Sequence, residues 1–153
     1  MRFDDRRLYP IYEEAQRRGL FIVTVMSSLL GPYLDDCKPE WVDHVATDFP
    51  DLNVVIQHAA WPYSREAVGL AYKRPNVYLV PGQYIHYEFA GSEDYIKAAN
   101  RQLSGQIMYG SVYPNCGPLT EVMEIVDNLG FVSDEIKTKY LEGNARRLLG
   151  LAG

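Results

Sequence analysis

The chain has 153 residues, 47% of them hydrophobic and 23% charged, and a net charge of −5. That balance excludes disordered and fibrous classes and suits one globular domain, residues 1–153, able to bury a real core. The basic pairs Arg6-Arg7, Arg17-Arg18 and Arg146-Arg147 sit among acids in helical stretches, which argues against a nucleic-acid surface, and no apolar run is long enough to span a membrane.

Leu8 to Arg18 carries Leu8, Ile11, Tyr12 and Ala15 at helical spacing and stops at Gly19, a natural C-cap. Leu20 to Val25 (LFIVTV) follows as a nearly continuous β-branched run, the pattern of a buried strand. After the Gly31-Pro32 loop, Pro39 to Asp48 reads as a helix with proline in its first turn. Pro50-Asp51 breaks it, and Leu52 to Ile56 is a second strand. Ser64 to Tyr72 is a short helix with Ser64 as its expected N-cap. Val77 to Val80 is a third strand, followed by a polar aromatic loop, QYIHYEF. Ser92 to Leu103 is a helix with Glu93 and Asp94 favourably placed near its positive end. Gln106 to Tyr109 is a fourth strand. Pro118 to Leu129, Ser133 to Tyr140 and Asn144 to Leu149 complete the helices.

A helix followed by four strand-helix units argues an α/β fold with a parallel sheet. An open doubly wound sheet and part of a (β/α)8 barrel both fit this order. No strand leads into G-x-G-x-x-G or G-x-x-x-x-G-K-[ST], so nucleotide binding has no support. Cys37 and Cys116 form no C-x-x-C pair, and the opening MRFDDRRLYP lacks the apolar stretch of a signal peptide. A reducing, cytoplasmic setting is therefore expected.

Four ordered strings resemble the amidohydrolase-2 family: DDRRLYPIYEEAQRRGL, FPDLNVVIQHAAWPYSREAVGLAYKRPNVYL, IMYGSVYPN and YLEGNARRLLGL. This family includes aminocarboxymuconate-semialdehyde decarboxylase and resorcylate-type decarboxylases. The resemblance implies half of a (β/α)8 TIM barrel, with the chain supplying strands five to eight. It further implies a divalent metal held by an H-x-H or E-x-H pair on strand one, a histidine ending strand five and an aspartate ending strand eight, with an acid/base histidine ending strand six. His58 matches the last. The strand-five position holds Val25 or Met26, and the GSDYP-like string holds Val112 in place of aspartate. Valine cannot coordinate, and a thioether suits zinc or manganese poorly. No cofactor is thus expected in this chain alone; zinc or manganese would require a partner's ligands.

In a barrel, His58 would face the C-terminal mouth, where barrel active sites lie, able to serve as general base or to bind a carboxylate. The alternative is a packing histidine. Trp61 and Tyr63 would line the same pocket. His86 lies in the loop after the third strand, where an ordinary exposed histidine is the simpler reading. Ser111, Tyr113, Asn115 and Cys116 ring the Val112 position, and Ser27, Ser28 and Gln83 would complete a polar rim. Cys116 lacks an obvious adjacent base, His44 reads as a surface residue of its helix, and Glu66 as structural.

Four such units cannot close a barrel, and an exposed parallel edge invites pairing with another chain. The expected partners are a second copy, as a homodimer, or a subunit carrying the N-terminal half-barrel. The expected function is binding of, or action on, a small organic carboxylic acid by hydrolysis or decarboxylation. The alternative is a non-catalytic subunit that completes a barrel.

Overall fold

The computed structural model describes residues 1–151. Three short strands, β1 (Ile22–Val25), β2 (Val54–Gln57) and β3 (Val77–Val80), form one parallel sheet in the order β1-β2-β3. Helices α1 (Tyr9–Arg17), α2 (Glu40–Asp48) and α3 (Ser64–Lys73) precede them in turn. After β3 come α4 (Gln83–His86), α5 (Glu93–Ala99), α6 (Leu119–Asp127), α7 (Asp134–Thr138) and α8 (Asn144–Leu148). A π-helical turn, Lys139–Gly143, joins the last two.

The register aligns Ile22, Val54 and Val77 on one face, and Thr24, Ile56 and Leu79 on the same face one pleat further on. Val54, Ile56, Val77 and Leu79 are wholly inaccessible. They pack with Val42 and Val45 of α2, Ala67 and Ala71 of α3, Tyr95 and Ala99 of α5 and Val126 of α6. Each fully buried aliphatic side chain contributes about 1.5–3 kcal/mol, so this single face carries most of the core's stabilisation.

Buried amides tie each strand to the preceding unit. Asn76 Nδ2 donates to the carbonyls of Ala46, Phe49 and Leu52. Gln106 Nε2 repeats the arrangement one unit later, on Ala71, Arg74 and Val77. Asn144 Nδ2 closes the series on Ser104 and Ile107. They supply donors to carbonyls at helix ends and strand starts, where the regular backbone ladder ends; the Phe49 and Arg74 carbonyls also accept the Leu52 and Val77 amides.

The opposite face of the sheet is covered unevenly: Val55 is buried, Gln57, Tyr78 and Val80 are half-buried, and Val23 and Val25 on β1 are 52% and 50% exposed. An all-parallel sheet ordinarily has both faces covered.

Four expectations from the sequence need correction. The fourth strand is reduced to a single parallel bridge, Leu79 to Ile107, because Tyr109 turns its amide to the Tyr140 carbonyl at 2.8 Å and leaves the ladder. The QYIHYEF loop begins as helix α4, with Gly82 at φ 57 ahead of it. The helix expected to reach Leu103 ends at Ala99, although Leu103 stays buried. Ser64 is the first residue of α3 and makes no capping bond; the position before the helix belongs to Tyr63. Among the described residues no helix is long and apolar enough to cross a membrane.

Candidate functional site

At its C-terminal end β2 runs directly into a left-handed turn. His58, Ala59 and Ala60 have φ of 65°, 48° and 63°, a conformation that costs non-glycine residues about 1–3 kcal/mol each. Such a turn persists only where its surroundings enforce it. Here the Tyr95 hydroxyl donates to the Ala59 carbonyl at 2.9 Å, and Trp61 Nε1 donates to the Ala90 carbonyl at 3.0 Å. The turn holds His58 at the strand's end, buried, with Nδ1 lacking any hydrogen-bond partner among the described residues. Burial without a compensating charge pulls the imidazole pKa below its ordinary value, which keeps it neutral near pH 7.

Tyr84, the second residue of α4, is the hub of this end of the sheet. Its side chain is fully buried. The hydroxyl lies 2.7 Å from Ser27 Oγ and 3.4 Å from Ser28 Oγ, linking the segment after β1 to the segment after β3. Its ring stacks on Trp61 at 4.7 Å and meets the His58 ring edge-on at 5.8 Å. Phe89 closes the cluster against both Trp61 and Tyr84.

The segment after the Ile107 bridge approaches from the other side. Val112, at φ 54, lies over Gly82. A Cβ added to Gly82 would sit 2.8 Å from Val112 Cγ2 and 3.6 Å from His58 Nδ1, so only glycine admits this approach. Gly110 is similarly required, since a Cβ there would lie 2.6 Å from Val80 Cγ1.

Of the residues singled out from sequence, the structure brings His58, Trp61, Ser27, Ser28 and Val112 together. Tyr63 is half-buried and lies beyond the turn, where its amide bonds the Ala60 carbonyl. Ser111 is half-buried and accepts from the Tyr113 amide. Tyr113 and Asn115 are exposed, the Asn115 carbonyl accepting from the Tyr87 hydroxyl at 3.4 Å. His86, anticipated as an exposed loop residue, is buried on α4 with neither ring nitrogen hydrogen-bonded among the described residues, its ring 6.1 Å from that of Tyr109. Its pKa too is lowered by burial. Cys116 is buried beside Tyr87, whose pKa it raises. His44 is exposed on α2 and bonds Asp4, and Glu66 is exposed on α3. Gln83 is half-buried at the start of α4. Tyr84 had no sequence signal beyond its place beside Gln83, and the left-handed turn had none.

Neutral imidazole, serine hydroxyls and a stacked indole-phenol pair can orient and hydrogen-bond a small planar molecule and exchange a proton at His58. Met26 points into the core and Val25 lies half-exposed on β1, so neither offers a donor atom at this end of the sheet.

The family model described as Amidohydrolase, of the amidohydrolase-2 group, matches residues 1–151. An uncharacterized TIM-barrel protein from Bordetella bronchiseptica is 39% identical with a TM-score of 0.92, over 98% of this chain and 52% of that one. The 2,6-dihydroxybenzoate decarboxylase from Rhizobium superposes with a TM-score of 0.71 at 13% identity, over 100% and 58%. A dihydroxybenzoic acid decarboxylase from Polaromonas, solved with manganese and the inhibitor 2-nitroresorcinol, gives 0.67 at 14%, over 98% and 55%. The last two likenesses establish the fold alone. The chain spans a little over half the length of each of these structures. No functionally curated protein matches it. The chain belongs to the amidohydrolase-2 family.

Proposed function

We propose that the chain is the C-terminal half of a (β/α)8 barrel, strands five to eight, whose mouth binds a small organic carboxylic acid beside His58. One observation carries this reading: a buried imidazole whose Nδ1 has no hydrogen-bond partner among the described residues, held by an enforced left-handed turn at the C-terminal end of a parallel strand. The superposable decarboxylases suggest the ligand class. Ser27, Ser28 and Trp61 supply the hydrogen bonds and planar wall such a ligand needs; His86, Tyr113 and Asn115 stand farther out.

The family's divalent metal does not fit the residues present. Val112 occupies the position of the expected aspartate and packs on Gly82, while Val25 and Met26 provide no oxygen or nitrogen. No step through a metal is therefore derived for this chain alone. Titration with 2,6-dihydroxybenzoate tests the reading: binding insensitive to EDTA and weakened at least about tenfold, or roughly 1.4 kcal/mol, by His58→Gln is expected. Binding unchanged in His58→Gln, or stoichiometric manganese retained through dialysis, would overturn it.

The unevenly covered face of the sheet favours a second reading, a non-catalytic subunit that completes a barrel with itself or with a partner carrying the N-terminal half. A partner of that kind is also the route by which zinc or manganese ligands would arrive. Absence of turnover in any assembly, with ligand binding retained, would support it.

A further inference from the structure

The two ring nitrogens of His58 meet different surroundings. Nδ1 is sealed from solvent and has no hydrogen-bond partner among the described residues, whereas Nε2 is not sealed. Gly82 and Val112 cover the Nδ1 side: the point where a Cβ of Gly82 would stand lies 3.6 Å from Nδ1 and 2.8 Å from Val112 Cγ2. The Gly110 carbonyl is 3.9 Å from that same point and makes no bond to the ring. Burial alone lowers the pKa of His58, so no carboxylate acts on the imidazole. A neutral imidazole must place its one proton on one nitrogen or the other. On Nδ1 it would leave a sealed N–H with nothing to bond, and orphaned donors are rarer in folded chains than orphaned acceptors. We infer that His58 carries its proton on Nε2 and serves the mouth as a hydrogen-bond donor, with Val112 as the positioning residue that fixes this tautomer.

The donor role rests on the reading of the mouth given above and narrows its ligand to one that presents an acceptor there, a carboxylate oxygen. Proton abstraction by His58 is set aside at the same time. The basic lone pair belongs to Nδ1, behind Gly82 and Val112, where no incoming molecule reaches it. His58 therefore orients its ligand and takes no proton from it. The enclosure is made by this chain alone, from Gly82 after β3 to Val112 beyond the Ile107 bridge, and β2 has a strand of the same chain on each side. Completing a barrel with further residues leaves Nδ1 as it is.

Nitrogen-15 NMR of the protein labelled at histidine tests the assignment. At pH 7 the His58 signals, identified by their loss in His58→Gln, should show a bare Nδ1 and a protonated Nε2. Val112→Asn sets an amide oxygen beside the ring, at a φ of 54° that asparagine accepts more readily than valine. It should move the proton to Nδ1 and weaken binding of 2,6-dihydroxybenzoate about tenfold or more, because the nitrogen facing the carboxylate turns from donor to acceptor. Should Val112→Asn fail to fold, the wild-type spectrum still decides. A wild-type proton on Nδ1, an even mixture of the two tautomers, a charged ring at pH 7, or a folded Val112→Asn protein with its proton still on Nε2 overturns the inference. The spectrum needs no ligand, so the two readings fail separately. A protonated Nε2 without 2,6-dihydroxybenzoate binding removes the mouth and keeps the proton's place, while binding to a ring protonated at Nδ1 does the opposite.

Discussion

Val112 closes over Gly82 so tightly that a methyl group on the glycine would meet Val112 Cγ2 at 2.8 Å, within 3.6 Å of His58 Nδ1. Both residues have positive φ, at 54° and 57°. Valine in that region is strained, because its branched Cβ crowds its own backbone.

Gly82→Ala should accordingly destabilise the protein by about 2–4 kcal/mol, combining backbone strain with the overpacking contact. Val112→Gly in the same background should recover about 1 kcal/mol or more, since it removes the clashing Cγ2 and the left-handed valine. Urea denaturation of the single and double variants measures the coupling. Additive effects would show that the two residues relax independently.

Tyr84→Phe tests the hub. It keeps the ring stack with Trp61 but leaves the buried Ser27 Oγ with only the long 3.4 Å bond from the Leu29 amide. The expected loss is about 1–2 kcal/mol of stability, with near-ultraviolet circular dichroism from Trp61 preserved. Affinity for 2,6-dihydroxybenzoate should fall with it, because Ser27 and Ser28 lose their common anchor.

His58 and His86 set the pH dependence. Burial lowers both below the ordinary value of 6.5, so the unfolded chain binds protons more readily than the native one. Stability is then full above about pH 7 and declines as pH falls through 6.5 toward the lowered native values. The urea midpoint should drop between pH 7 and 5, and His86→Phe should flatten that drop. An unchanged slope in the variant would mean His86 reaches solvent and charges without penalty.

The runs Val54–Gln57 and Val77–Val80 were legible because a parallel strand buried against helices is β-branched along its length; Ile22–Val25 forms the strand its pattern predicts, but not the expected buried one, since Val23 and Val25 are exposed and no residue of β1 is fully buried. The fourth was legible only as composition: QIMY has the right apolar content, yet the fate of the Tyr109 amide depends on Tyr140, distant in sequence. His58 could be placed at a strand end from its neighbours. Its left-handed backbone could not, since none of the three is glycine and the alanines Ala59 and Ala60 disfavour positive φ; the turn is held by Tyr95 and Trp61. The burial of His86 is hidden from the sequence for a related reason. A polar aromatic stretch after a strand reads as a loop, whereas Gly82 here starts a helix that turns His86 inward.

The buried amides make the last prediction. Asn76 Nδ2 faces three carbonyl oxygens at 2.9–3.3 Å, of which only that of Phe49 is seen to accept another backbone amide, that of Leu52, among the described residues. Asn76→Ala should destabilise by about 2–4 kcal/mol, because carbonyls at the end of α2 and the start of β2 lose a shared donor while buried. Asn76→Asp should be worse at pH 7, since it aims a negative charge at the same oxygens. Its carboxyl would therefore be held protonated to unusually high pH, and the variant's deficit relative to wild type should shrink as pH falls and a hydroxyl donor returns. Denaturation of the two variants at pH 7 and pH 5 reads the difference. Equal losses for alanine and aspartate at pH 7 would show that water, rather than residue 76, supplies the donor that joins one strand-helix unit to the next.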